Sequence, residues 1–85
     1  MTVQQTSLFA YEYVRQSLGQ RQRTVLEVIR NFPGCDNLFI AEKLRLPINS
    51  VTPRVKELRE KGKVRPAGQV RNVQTGRLTM RWEVV

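Results

Sequence analysis

Five polar side chains crowd one short stretch of the sequence: Asn49, Ser50, Thr52, Arg54 and Lys56. An asparagine amide can bond adenine through two atoms, and an arginine fork matches guanine. Hydroxyls serve bases or phosphates, and a lysine ammonium meets phosphate as a point charge. A second stretch, Asn72-Val73-Gln74-Thr75-Gly76, has turn composition and is bracketed by Arg71 and Arg77. These seven residues are equipped to grip a polyanion and to read hydrogen-bonding edges. Catalytic chemistry is poorly supplied. The chain has no histidine and one cysteine, Cys35, which excludes histidine acid–base catalysis and leaves too few ligands for a structural zinc. Its carboxylates are scattered and no glycine-rich phosphate loop is present. A non-enzymatic role without cofactor or metal is expected.

The elements that must hold these groups follow from periodicity. Leu8, Tyr11, Val14 and Leu18 recur at spacings of three and four, widened by Phe9 and Tyr13, which predicts a short helix over about residues 8–16. That stripe can pack on the chain's own core or meet a second copy. Gly19 breaks the pattern. A helix over about 20–31 then buries Val25, Leu26, Ile29 and Phe32 and stops at Pro33-Gly34. Asp36 or Asn37 can cap a helix over 38–44, with Ile40, Ala41 and Leu44 facing inward. Phe39 is surplus to that stripe and is expected to meet the N-terminal helix or a second subunit. After Arg45-Leu46-Pro47, Asn49 or Ser50 caps a further helix over about 50–61 that ends at Gly62. There Val51, Val55 and Leu58 share one buried face. Asn49, Pro53, Lys56 and Glu60 point the opposite way, with Pro53 expected in the first turn or at its edge. Glu57 is spaced to pair with Lys61.

Beyond Gly62 the period shortens to two. Leu78, Met80, Trp82 and Val84 alternate with polar positions, a half-buried strand that residues 64–70 can pair with antiparallel. The expected fold class is α+β: three or four helices followed by a two-stranded C-terminal hairpin. Trp82 falls on the inward face and reads as core rather than as a base-stacking aromatic.

Charge singles out the second half of the chain. The net charge is +8 with a pI near 10.9. Residues 37–85 hold eleven basic and four acidic side chains, a net of +7, against +1 for residues 1–36. A field of that sign draws polyanions. No apolar run is long enough to span a bilayer, and the N-terminus lacks a signal-peptide pattern, so a cytoplasmic, nucleoid-associated location is expected.

Asp36-Asn37-Leu38-Phe39-Ile40-Ala41-Glu42-Lys43-Leu44, then Leu46 to Val55, then Glu57-Leu58-Arg59-Glu60-Lys61-Gly62, together resemble winged helix-turn-helix regulators. Thr75-Gly76-Arg77 and Arg81-Trp82-Glu83-Val84 resemble their wing and last strand. The likeness runs over about residues 18–85. It is similar to the MarR-like group and closer to small DNA-binding proteins of phages and prophages. It implies double-stranded DNA as partner, with a recognition helix over about 50–61 in the major groove and a basic wing over about 70–78. It also implies dimerisation, for which the segment 1–18 is the candidate contact, leaving 19–85 as the DNA-binding domain. Arg45 stands where such proteins commonly place a turn glycine. Neither long flanking helices nor a ligand pocket is evident, so no small-molecule effector is expected. The competing reading is a winged-helix interaction module that binds an acidic protein partner.

Overall fold

The computed structural model describes residues 18–85, and the expected helix over 8–16 lies outside the described residues. Helix α1 spans Gln20–Asn31. Gln22 reaches back to its start, its Oε1 accepting from Gly19 N at 3.3 Å. Val25, Leu26, Val28 and Ile29 are buried along one side of it. Phe32, expected on that side, is instead 42% exposed. The helix has already ended there, with Phe32 at φ −131°, and the ring turns to Phe39 at 5.2 Å between centroids. Lys43 Nζ lies 4.8 Å from the Phe32 centroid. So Phe39 meets the end of α1, and its expected contact with the N-terminal helix lies outside the described residues.

The turn after α1 needs glycine at position 34. Gly34 has φ +87°, and a side chain there would run into Arg81, whose Nε donates to the Gly34 carbonyl at 2.9 Å. Asp36 then caps helix α2, Asn37–Leu44, by accepting from Phe39 N at 2.9 Å. Arg45 closes α2 in the left-handed conformation, φ 55° and ψ 46°. A side chain there costs about 1 kcal/mol relative to glycine. The Arg45 N–H is held by the Ala41 and Glu42 carbonyls.

Helix α3 spans Ile48–Glu60, beginning two residues earlier than its polar residues suggested. Pro47, not Asn49 or Ser50, occupies the capping position, with φ −62° already suited to it. Pro53 therefore falls inside the helix rather than in its first turn. Val51, Val55 and Leu58 are at most 1% exposed and meet Ile29, Ile40 and Leu26 in the core. Glu57 does not pair directly with Lys61. Both bond Gln22: Nε2 donates to Glu57 Oε1 at 2.9 Å, and Lys61 Nζ donates to Gln22 Oε1 at 3.1 Å. One amide thus ties the start of α1 to the end of α3.

Strands β1, Val64–Arg71, and β2, Leu78–Val84, form an antiparallel hairpin with a register irregularity between Pro66 and Gln69. Val64 and Trp82 are buried, while Leu78, expected inward, is 56% exposed because the hairpin has left the core by then. The far side of β2 is joined to the turn after α1. Gly34 N donates to Trp82 O at 2.7 Å, and Trp82 N donates to Cys35 O at 2.8 Å. Cys35 is a buried free thiol, and burial raises its pKa to about 11. No described helix is long and apolar enough to cross a membrane.

Candidate nucleic-acid interface

Helix α3 presents its polar residues on two levels. Asn49 and Lys56 are exposed along the side opposite its buried row and Thr52 is exposed on the flank toward Asn37, while Ser50 and Arg54 are half-buried. Arg54 is already engaged. Its Nη2 donates to Glu57 Oε2 at 3.0 Å. Its Nε lies 2.7 Å from Glu57 Oε1 as an ion pair without hydrogen-bond alignment. That pair spans three positions of one helix, and it neutralises a carboxylate that would repel a polyanion. The Glu57 carboxyl is held below the usual carboxylate range, first by the Gln22 amide and then by Arg54. Arg59 is also occupied, its guanidinium 5.7 Å from the Trp82 ring centroid.

The structure adds a residue that sequence reasoning missed. Arg21, in the first turn of α1, lines a cleft of about 370 Å³ with Asn49, Ser50, Pro53 and Arg54. Nothing in the sequence near Arg21 signals this, because only the packing of α1 across α3 brings them together. On the other flank, Arg77 borders a groove of about 330 Å³ with Ile48, Leu38, Asn72 and Met80. The first turns of α3 are thus flanked by one arginine from α1 and one from the hairpin.

Arg71 and Arg77 are both exposed but differ in role. Arg71 Nη1 donates to Gly76 O at 2.6 Å, so it braces its own turn. Asn72 completes that brace: its Oδ1 accepts from Gln74 N at 2.8 Å and Thr75 N at 3.0 Å. Asn37 is the second residue missed as more than a cap. Its side chain bonds both Trp82 and Thr52, which joins α2, β2 and α3. Among the described residues, no three of His, Cys, Asp and Glu gather closely enough to hold a metal.

Three solved structures share this arrangement. A MarR-family transcription regulator matches with 18% identity and a TM-score of 0.65, over 85% of this chain and 45% of its own. FabT of Streptococcus pneumoniae, solved in complex with DNA, matches with 19% identity and a TM-score of 0.63, over 94% of this chain and 60% of its own. The fold is the winged helix-turn-helix. PcaV of Streptomyces coelicolor, solved with its natural ligand, matches with 21% identity and a TM-score of 0.62, over 94% of this chain and 58% of its own. This chain therefore spans between 45% and 60% of the length of these winged-helix proteins. No family model matches the sequence, and no curated protein matches it. In winged-helix terms, α2 and α3 are the helix-turn-helix pair and β1–β2 is the wing.

Proposed function

We propose that this chain binds double-stranded DNA without catalysing a reaction on it, in transcriptional regulation or in a phage-type DNA transaction. Helix α3 enters the major groove, where a helix about 10–12 Å across fits. Arg77 at the wing and Arg21 beside α3 meet backbone phosphates. The observation that carries this reading is the exposed row Asn49, Thr52 and Lys56 on the one helix flanked on both sides by arginine. The net +7 of residues 37–85 and the DNA complex of a protein sharing the fold point the same way. Asn49 and Thr52 read base edges, and Lys56 adds phosphate affinity. Ser50 and Arg54 approach the backbone at the flank, with Arg54 sharing its charge with Glu57. Arg71 contributes chiefly by shaping the wing. The segment 1–18 supplies a homodimer contact. The expectation that no small molecule regulates the chain rests on sequence alone, since the same fold occurs in PcaV with a natural ligand.

Fluorescence anisotropy with pooled duplexes at two salt concentrations tests the reading. Binding that weakens steeply with salt is expected, because each neutralised phosphate releases counterions. Absence of binding at low salt would instead favour an acidic protein partner for the same basic face.

A further inference from the structure

On the reading of α3 as the DNA-facing helix, the direction of one of its hydroxyls is set by three linked side chains. Trp82 Nε1 donates to Asn37 Oδ1 at 2.8 Å, and Asn37 Nδ2 donates to Thr52 Oγ1 at 3.3 Å. An indole N–H can only donate. Were the Asn37 amide turned over, its own NH2 would oppose that indole N–H, so buried Trp82 decides which way the amide points. Thr52 Oγ1 consequently receives a hydrogen from the protein and keeps its own to give. Thr24, by contrast, spends its hydrogen on the Gln20 carbonyl one turn back, at 2.9 Å. The bond accepted from Asn37 is the side-chain hydrogen bond that Thr52 makes among the described residues.

We propose that Asn37 is a positioning residue that determines specificity by presenting the Thr52 hydroxyl outward as a hydrogen-bond donor. Such a donor suits the acceptors of the major groove: guanine O6 and N7, adenine N7 and thymine O4. Facing the cytosine or adenine amino group alone would leave the hydroxyl hydrogen without a partner in a desolvated contact. A threonine ordinarily reads donors and acceptors alike. Here its choice is made by a residue on another helix, and that residue's choice by a residue on the wing.

The test replaces the amide by its isosteric acid. In Asn37→Asp the carboxylate still accepts from Trp82 but has no hydrogen to give, so Thr52 donates inward and shows lone pairs outward. Affinities are measured for duplexes that differ at one base pair, scanned across the preferred site. The readout is the ratio within each pair, in which the general repulsion of DNA by the added charge cancels. Wild type should favour an acceptor at one position by about three- to tenfold. Asn37→Asp should shrink or invert that ratio there and nowhere else. In a Thr52→Val background the same change should leave the ratios untouched. Weakening of every duplex with all ratios preserved would overturn the proposal, as would an equal shift in the Thr52→Val background.

A second measurement separates this proposal from the DNA reading itself. In the free protein, Thr52→Val should shift the side-chain amide resonances of Asn37, and Asn37→Leu should shift the Trp82 indole resonance while Asn37→Asp retains its bonded position. Unmoved resonances would remove the linkage whatever DNA does. If the linkage is present but wild type binds no duplex, the DNA reading falls and the base-selecting role falls with it.

Discussion

Helix α3 stands on Val51, Val55 and Leu58, each at most 1% exposed, whereas the hairpin keeps its buried residues, Val64 and Trp82, at the end away from its tip. The tip is held by bonds within itself: Arg71 to Gly76 O, Asn72 Oδ1 to two backbone amides, and Gly76 N to Asn72 O at 2.8 Å. The helix is thus fixed by the whole core and the tip chiefly by its own bonds, with Thr79 Oγ1 donating to Asp36 Oδ2 at 2.8 Å just below it. That difference matches two kinds of contact. Reading a base edge demands angles that a core-anchored helix can keep, while meeting a phosphate demands chiefly charge at the right distance. On the proposed DNA-binding reading, specificity would belong on α3 and salt-sensitive affinity on the wing.

The contrast can be tested at decreasing scale. Leu58→Ala should cost about 3 kcal/mol of stability in urea denaturation, because it opens a cavity in a closed core. Leu78→Ala should cost no more than about 0.5 kcal/mol. Similar losses for both would erase the mechanical difference. In binding, Asn49→Ala should reorder the preferred duplexes, losing about 1–3 kcal/mol on those with adenine at its position. Arg77→Ala should weaken all duplexes alike and lower the salt slope by about one. If Arg77→Ala changed sequence preference instead, the division of labour would be wrong. Gly76 sits at φ +71° in open space, so Gly76→Ala should cost about 1 kcal/mol through backbone strain alone. That cost should surface as faster amide exchange at the tip with little change in global unfolding. The smallest effect concerns acid. Glu57 ionises more readily in the folded chain than in the unfolded one, owing first to the Gln22 amide. Its bonds therefore add stability above the ordinary carboxylate range, and that stability fades as pH falls through the lowered value. Glu57→Gln should lack that increment of acid loss when the two are unfolded side by side.

The buried rows of α1, α2 and α3 were legible because 3.6-residue periodicity is a local property of the sequence. Pro33-Gly34 and Gly62 marked their boundaries for the same reason. Phe32 was misplaced because the apolar stripe was carried one residue past the helix end, where the chain has already left helical geometry. The start of α3 was misplaced because Asn49 and Ser50 are good caps, yet Pro47 was already in a suitable conformation. At the interface, sequence supplied the residue types but not their commitments. Arg54, Arg59 and Arg71 each bond inside the protein, and Arg21 and Asn37 joined the site from other elements. The Arg54–Glu57 and Arg71–Gly76 contacts are local but depend on side-chain direction, while those of Arg59, Arg21 and Asn37 join residues far apart in sequence and leave no periodic trace.

The hairpin has two strands and therefore two outer edges. Trp82, opposite Pro66, turns its N–H and carbonyl away from β1 toward Cys35 and Gly34, which closes the edge of β2. Pro66, its partner, accordingly faces the open side of β1, where a proline has no hydrogen to offer a newcomer. The irregularity between Pro66 and Gln69 bends that same edge out of line. A neighbouring molecule seeking to extend the sheet thus meets a capped strand on one side and an interrupted one on the other. The projecting hairpin is therefore poorly suited to pair edge to edge with a strand of another molecule.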